Sequence, residues 1–119
     1  MVRRHLATLG RAGLLAGCAL SAACGNSAVD RGRTLYADHG CAVCHGAGGR
    51  GDGPSVKRLD VRPRDLTDRR GYRNGPGEDQ IASSIRNGAG AMPPFRDLSE
   101  EDARDIAAWL VSLQNAAQR

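Results

Sequence analysis

Cys41-Ala42-Val43-Cys44-His45 is the stretch that decides how this chain is read. The spacing C-x-x-C-H is the attachment pattern for haem c. Two cysteines three residues apart can add to the two vinyl groups of one haem, and the next residue then sets an imidazole under the iron. A dithiol redox pair shares the C-x-x-C spacing but sits in a βαβ setting, and no run of alternating β-branched residues occurs in the chain. A structural zinc site needs a second Cys or His pair at suitable spacing, which His39 alone does not provide. The expected cofactor is one haem c, covalent through Cys41 and Cys44, with His45 as an iron ligand.

Such an iron takes a sixth ligand or leaves a position open. Apart from Met1, Met92 is the only methionine, 47 residues after His45 in the rigid turn Met92-Pro93-Pro94-Phe95. Filling a gap in a core is the plainer role for a methionine. The run Gly88-Ala89-Gly90-Ala91 just before it lets the backbone approach a flat macrocycle. A thioether ligand also raises the reduction potential and suits electron transfer. Met92 is therefore expected to ligate. His39 lies two residues before Cys41, too near the tether to reach the other haem face, and reads as a surface residue or a cation at a helix C-terminus.

Around this centre the pattern is helical. Val29 to Asp38 reads as a short helix with Asp30 as its cap, ended by Gly40. Five glycines in the eight positions Gly46 to Gly53 make a loop. With no strand before it and no Lys-Ser/Thr after it, this is no phosphate-binding loop. Pro54 to Pro76 is polar, broken by Pro63 and poor in strand formers. Glu78 to Asn87 is a second helix, with acids in its first turn, Ile81 and Ile85 one turn apart, and Gly88 closing it. Met92-Pro93-Pro94 must be an extended turn. Ser99 caps the strongest helix, with Asp102 where a capping-box acid belongs. Ala103, Ile106, Trp109, Leu110 and Leu113 form one apolar stripe along it. The expected fold is all-α: three to four short helices with long loops around one covalently bound haem.

The composition agrees. The chain has 119 residues, 40% hydrophobic and 25% charged, which excludes a multi-span membrane protein and a polar disordered tail. Only 3% of residues are aromatic, so large rings from the chain itself do not fill the core. The net charge of +4 includes Arg3, Arg4 and Arg11 of a leader; the 96 residues from Cys24 onward carry 14 basic and 13 acidic side chains. That balance, without basic runs interleaved with aromatics, excludes a nucleic-acid partner. The charge is uneven: 10 basic and 6 acidic residues from Asp30 to Arg73, 4 and 7 from Asn74 to Arg119. This is either an ordinary mixed surface or a dipole that orients the protein toward a charged partner.

Residues 1–23 read as an export signal. Arg3, Arg4 and His5 form a positive n-region, and the twelve residues from Ala12 to Ala23 are mostly apolar, too short for a bilayer span of about 20 residues. Leu15-Ala16-Gly17-Cys18 and Ser21-Ala22-Ala23-Cys24 each resemble a lipoprotein cleavage site. Cys18 matches the pattern better, but leaves only six residues after Arg11, whereas Cys24 leaves twelve and precedes the flexible Gly25-Asn26-Ser27. Cys24 is the preferred lipid anchor, Cys18 the competitor, and plain cleavage to a soluble protein the third option. Residues 24–29 then form a tether, and 30–116 a single domain working in the periplasm.

Taken together, CAVCHG, GDGP, PRDLT, NGAGAMPPF and LSEEDARDIAAWLVSL resemble the class I c-type cytochromes, from about Gly32 to Leu113. The resemblance implies an N-terminal and a C-terminal helix crossing near the haem, with Gly32 and Tyr36 meeting Trp109, Leu110 and Leu113. It also implies that the Pro54 carbonyl accepts a hydrogen bond from the second nitrogen of His45, fixing the ring. The lysine-rich docking ring of mitochondrial members is missing, since Lys57 is the only Lys. A Trp for the haem propionates also has no counterpart. Arg64 is the candidate for that role, unless it is simply a solvated side chain.

The expected function is single-electron transfer between redox partners: a membrane oxidoreductase complex, or a terminal reductase, oxidase or dehydrogenase. The chain would act as a free monomer or as a bound subunit. No nucleophile–base pair or carboxylate dyad is visible, so no enzymatic activity is expected. The alternatives are a haem subunit that binds small ligands or has peroxidase-like activity through a labile Met92 bond, and a non-catalytic assembly subunit.

Overall fold

The computed structural model describes residues 27–119. The signal segment, Cys18, Cys24 and the tether through residue 26 lie outside the described residues.

Four helices follow in order: α1 (Ala28–Asp38), α2 (Cys41–His45), α3 (Glu78–Asn87) and α4 (Glu100–Ala117). Two single 3-10 turns, Val56–Arg58 and Arg69–Gly71, punctuate the long connection between α2 and α3. Among the described residues there is no strand, only one isolated bridge between Ala89 and Met92.

The cap of α1 is Ser27, not Asp30. Ser27 Oγ accepts from the Asp30 backbone N–H at 3.2 Å and donates to Asp30 Oδ2 at 2.8 Å. Asp30 therefore sits in the first turn, where its charge complements the helix N-terminus. Ala28, expected in the tether, belongs to the helix, which otherwise spans the residues read as helical from Val29 to Asp38. At the other end Gly40 has φ 73, a left-handed conformation that glycine adopts freely. It reverses the chain straight into α2, a single turn that sequence periodicity is too coarse to register. α3, α4 and their end signals, Gly88 and Ser99, fall where the sequence places them; Ser99 Oγ accepts from the Asp102 N–H at 3.0 Å.

α1 and α4 cross closely. A Cβ on Gly32 would fall on the Asp105 backbone carbonyl and beside the Ile106 nitrogen, so only glycine lets the helices meet. One turn along each helix, the Tyr36 and Trp109 rings pack 4.5 Å apart, tilted by 55°, a favoured aromatic arrangement. The expected meeting of Tyr36 with Trp109 is present, while Gly32 packs one turn earlier, on Asp105 and Ile106. Arg31 clamps the crossing with two bonds, Nε to Asp105 Oδ2 at 2.7 Å and Nη2 to Oδ1 at 3.2 Å. Ala103, Ile106, Trp109 and Leu110 of α4 are buried, as the stripe requires, and Ile81, Ala82 and Ile85 of α3 join the same cluster.

The candidate haem site

Cys41 and Cys44 lie three residues apart on α2, and residues at this spacing share one face of a helix. Both thiols are free and half-buried. Burial pushes the Cys41 thiol up from its ordinary value, with the neighbouring Cys44 adding to it and a backbone hydrogen bond opposing it. The following loop folds back to fix this turn. Gly51 N–H donates to the His45 carbonyl at 2.8 Å, Gly53 N–H to Cys44 at 3.2 Å, and Ser55 N–H to Val43 at 3.0 Å. A Cβ on Gly53 would collide with the Val43 carbonyl, so the wrap needs glycine there. From α1, Tyr36 Oη donates to the Gly46 carbonyl at 2.7 Å and holds the residue next to His45.

Burial lowers the His45 pKa below its ordinary value. The ring is therefore neutral near pH 7, the form that ligates a metal. Its Nδ1 is buried without a hydrogen-bond partner. The expected bond to the Pro54 carbonyl is not formed, and Pro54 is exposed. The residues on both sides of Pro54 spend their N–H groups on the backbone of α2, which pins that segment beside the turn without closing it on the imidazole.

Met92 comes from the loop between α3 and α4. Ala89 N–H donates to the Met92 carbonyl at 3.2 Å and Met92 N–H returns to Ala89 at 3.1 Å, while Phe95 N–H donates to Ile85 at 2.9 Å. The fold brings the half-buried Met92 and Cys41 against the same hydrophobic cluster, together with Leu66, Tyr72 and Phe95. Arg64 is exposed, with no ion pair among the described residues, on a segment whose carbonyl lies over Gly51. His39 is the C-cap of α1, its N–H on Leu35. Two features escape sequence reasoning. The Tyr36 bond to Gly46 is signalled only by an aromatic on the inner face of α1. Gln114 is fully buried, its Nε2 3.4 Å from the Pro76 carbonyl and its Oε1 unpartnered.

Residues 27–110 match the family model described as cytochrome c oxidase, cbb3-type, subunit III. The chain belongs to this family. It is a class I monohaem c-type cytochrome. No curated protein sequence matches it. Among solved structures it is similar to cytochrome c6 from the diatom Phaeodactylum tricornutum, with TM-score 0.56 and 27% identity over 74% of this chain and 95% of that one. It is also similar to a chain of the reducing HAO-like protein complex of Kuenenia stuttgartiensis, with TM-score 0.67 and 25% identity over 75% of this chain. That match spans 44% of the Kuenenia chain. As a member of this family the cytochrome carries haem c, bound covalently through Cys41 and Cys44. The residues fit it: two free thiols on one helical face, a half-buried neutral imidazole whose Nδ1 is buried without a partner, and a glycine loop that packs tightly on the turn carrying them.

Proposed function

We propose that this cytochrome is a periplasmic single-haem electron carrier whose iron is held between His45 and Met92 and which transforms no substrate. The bound haem supplies a one-electron Fe(III)/Fe(II) couple. Cys41 and Cys44 tether it. His45, neutral through burial, would supply an imidazole lone pair to the iron, and Met92, held by its backbone bridge to Ala89, would supply a thioether. Leu66, Tyr72 and Phe95, packed on the same cluster as Cys41 and Met92, would help to exclude water. Arg64, exposed on the segment whose carbonyl lies over Gly51, would be the partner for a haem carboxylate. The leader and the cysteines Cys24 and Cys18 support export and a lipid anchor. A redox partner or a host complex then supplies and takes the electron, in line with the Kuenenia neighbour, which is part of a complex.

The observation that supports this reading is that His45, neutral and with a buried unpartnered Nδ1, directly follows two free thiols, while Met92 packs on the same hydrophobic cluster as Cys41. Met92→Ala should lower the reduction potential by on the order of 0.2 V, within the roughly 0.8 V that axial ligands span, and abolish the weak sulfur-to-iron charge-transfer band of the ferric protein. An unchanged potential would reject Met92 as a ligand. Rapid CO binding by the reduced wild-type protein, with the band absent, would favour small-ligand binding or peroxidase-like chemistry. Intact-mass analysis of membrane and soluble fractions reads haem addition, lipid addition and the cleavage point together.

A further inference from the structure

Three cations of the helices are paired across elements, while Arg33 and Arg96 form no ion pair among the described residues. Arg31 meets Asp105 at 2.7 Å, Arg104 meets Asp79 at 3.4 Å, and Arg86 meets Glu100 at 3.7 Å. The connection from residue 54 to 76 is different. It holds seven basic and three acidic side chains. Arg70 pairs with Asp68 at 2.9 Å, but Lys57, Arg58, Arg62, Arg64, Arg69 and Arg73 are exposed and form no ion pair among the described residues. Two aliphatic side chains stand bare among them, Leu59 at 38% and Val61 at 63% exposure. The third large exposed hydrophobic, Val43 at 47%, accepts the Ser55 N–H on its carbonyl at the start of this segment.

The segment also borders both ligand loops. Leu66 N–H donates to Gly49 at 2.6 Å, just beyond His45, and the Pro63 and Arg64 carbonyls lie over Gly51. At its other end the Arg73 guanidinium lies against Gly90, 3.4 Å from where a Cβ would stand and two residues before Met92. Bare aliphatics that alternate along the chain with exposed cations, Arg58 before them and Arg62 after them with Asp60 between, match the composition of a protein interface, apolar side chains with a charged rim.

We propose that residues 57–73 are the docking face for an acidic redox protein, with Leu59 and Val61 at its centre and the unpaired cations steering the encounter. This rests on the electron-carrier reading and names the partner's chemistry. The arginine fork suits carboxylates and lipid phosphates alike, so position decides. A face bordering both ligand loops serves electron exchange when a protein covers it and blocks it when a bilayer does. The acidic surplus after Asn74 lies outside the face, so the approach of an acidic partner is oriented.

Stopped-flow oxidation of reduced flavodoxin, an acidic FMN protein, by the full-length holo-cytochrome tests this. The second-order rate should fall at least tenfold between low and high ionic strength. Arg58→Glu with Arg62→Glu should lower it about tenfold at low salt, with the reduction potential unchanged, and have little effect at high salt. Glu101→Lys should change it less than twofold. A rate insensitive to salt, or a Glu101→Lys effect as large as the double reversal, would overturn the proposal. So would binding to phosphatidylglycerol vesicles, above that to phosphatidylcholine, that the double reversal removes while leaving the flavodoxin rate unchanged; the patch would then be a membrane contact. The carrier reading has its own readout, the reversible one-electron wave of the wild-type chain at an uncharged electrode. A chain that cycles but shows no salt dependence loses the docking face alone, whereas a chain with no wave loses both.

Discussion

The α1–α4 crossing and the connection from residue 46 to 77 bury different things. The crossing buries side chains: Tyr36, Ala103, Ile106, Trp109 and Leu110 interlock around a glycine contact. In the connection the only buried residues are Gly46, Gly49, Gly51 and Gly53. Its larger apolar residues are half-buried, like Leu66 and Tyr72, or exposed, like Leu59 and Val61. What fixes it is backbone hydrogen bonding to α2 and short carboxylate turns, such as Asp65 accepting from the Thr67 N–H at 2.9 Å. One half therefore carries a core made of amino acids, and the other is shaped to wrap a group the chain does not encode.

The largest expected effect tests that division directly. Cys41→Ala with Cys44→Ala removes the tether and should leave a chain without a cooperative thermal transition, because a small domain that loses its prosthetic core buries too little to hold together. Residual helical circular dichroism from α1 and α4 without a cooperative melt would sharpen the contrast. A cooperative melt of the haem-free variant would break it.

The next effect falls in the self-sufficient half. In Gly32→Ala the new methyl lands on the Asp105 carbonyl, a backbone atom of a packed helix that cannot swing aside. The helices must separate, at a cost of about 3 kcal/mol or more, read as a fall of roughly 10–20 °C in the melting midpoint of the holo-protein. A shift under about 3 °C would mean that the crossing tolerates adjustment and is not the rigid half.

The same division governs what was legible in the sequence. α3 and α4 could be read because their apolar residues repeat at helical spacing and Ser99 and Gly88 mark their ends. The C-x-x-C-H turn could be read because its chemistry fixes the spacing. Asp105 and Gln114 could not, because a polar residue in a helix reads as solvated until a tertiary partner appears: Arg31 for one, the Pro76 carbonyl for the other. The cap of α1 was legible as well: Ser27 stands three positions before Asp30, the spacing of a capping box, which makes the serine the cap and the acid a first-turn residue. The His45 Nδ1 bond expected with the Pro54 carbonyl was a family inference, and here Nδ1 is buried without a partner while Pro54 is exposed.

Tyr36 joins the two halves, with its ring on Trp109 and its hydroxyl on the Gly46 carbonyl. Tyr36→Phe keeps the ring and leaves that buried carbonyl without its donor, a loss of about 1–2 kcal/mol. Its pH signature separates it from a plain packing defect. Burial raises the Tyr36 phenol far above its ordinary value, with Tyr72 and Asp52 adding to it. Above about pH 10 the unfolded chain ionises this group while the folded chain keeps the proton. The unfolded state then binds fewer protons, so stability is intact below that pH and falls as pH rises toward the folded value, by about 1.4 kcal/mol per pH unit for one such group. Tyr72, also raised by burial, contributes in the same direction. Tyr36→Phe should therefore be less stable than wild type at pH 7 yet lose less stability between pH 10 and 11, so that the two denaturation curves converge as the pH rises. Parallel curves across that range would mean that the Tyr36 phenol ionises alike in both states, and that its bond to Gly46 does not couple the helical half to the loop.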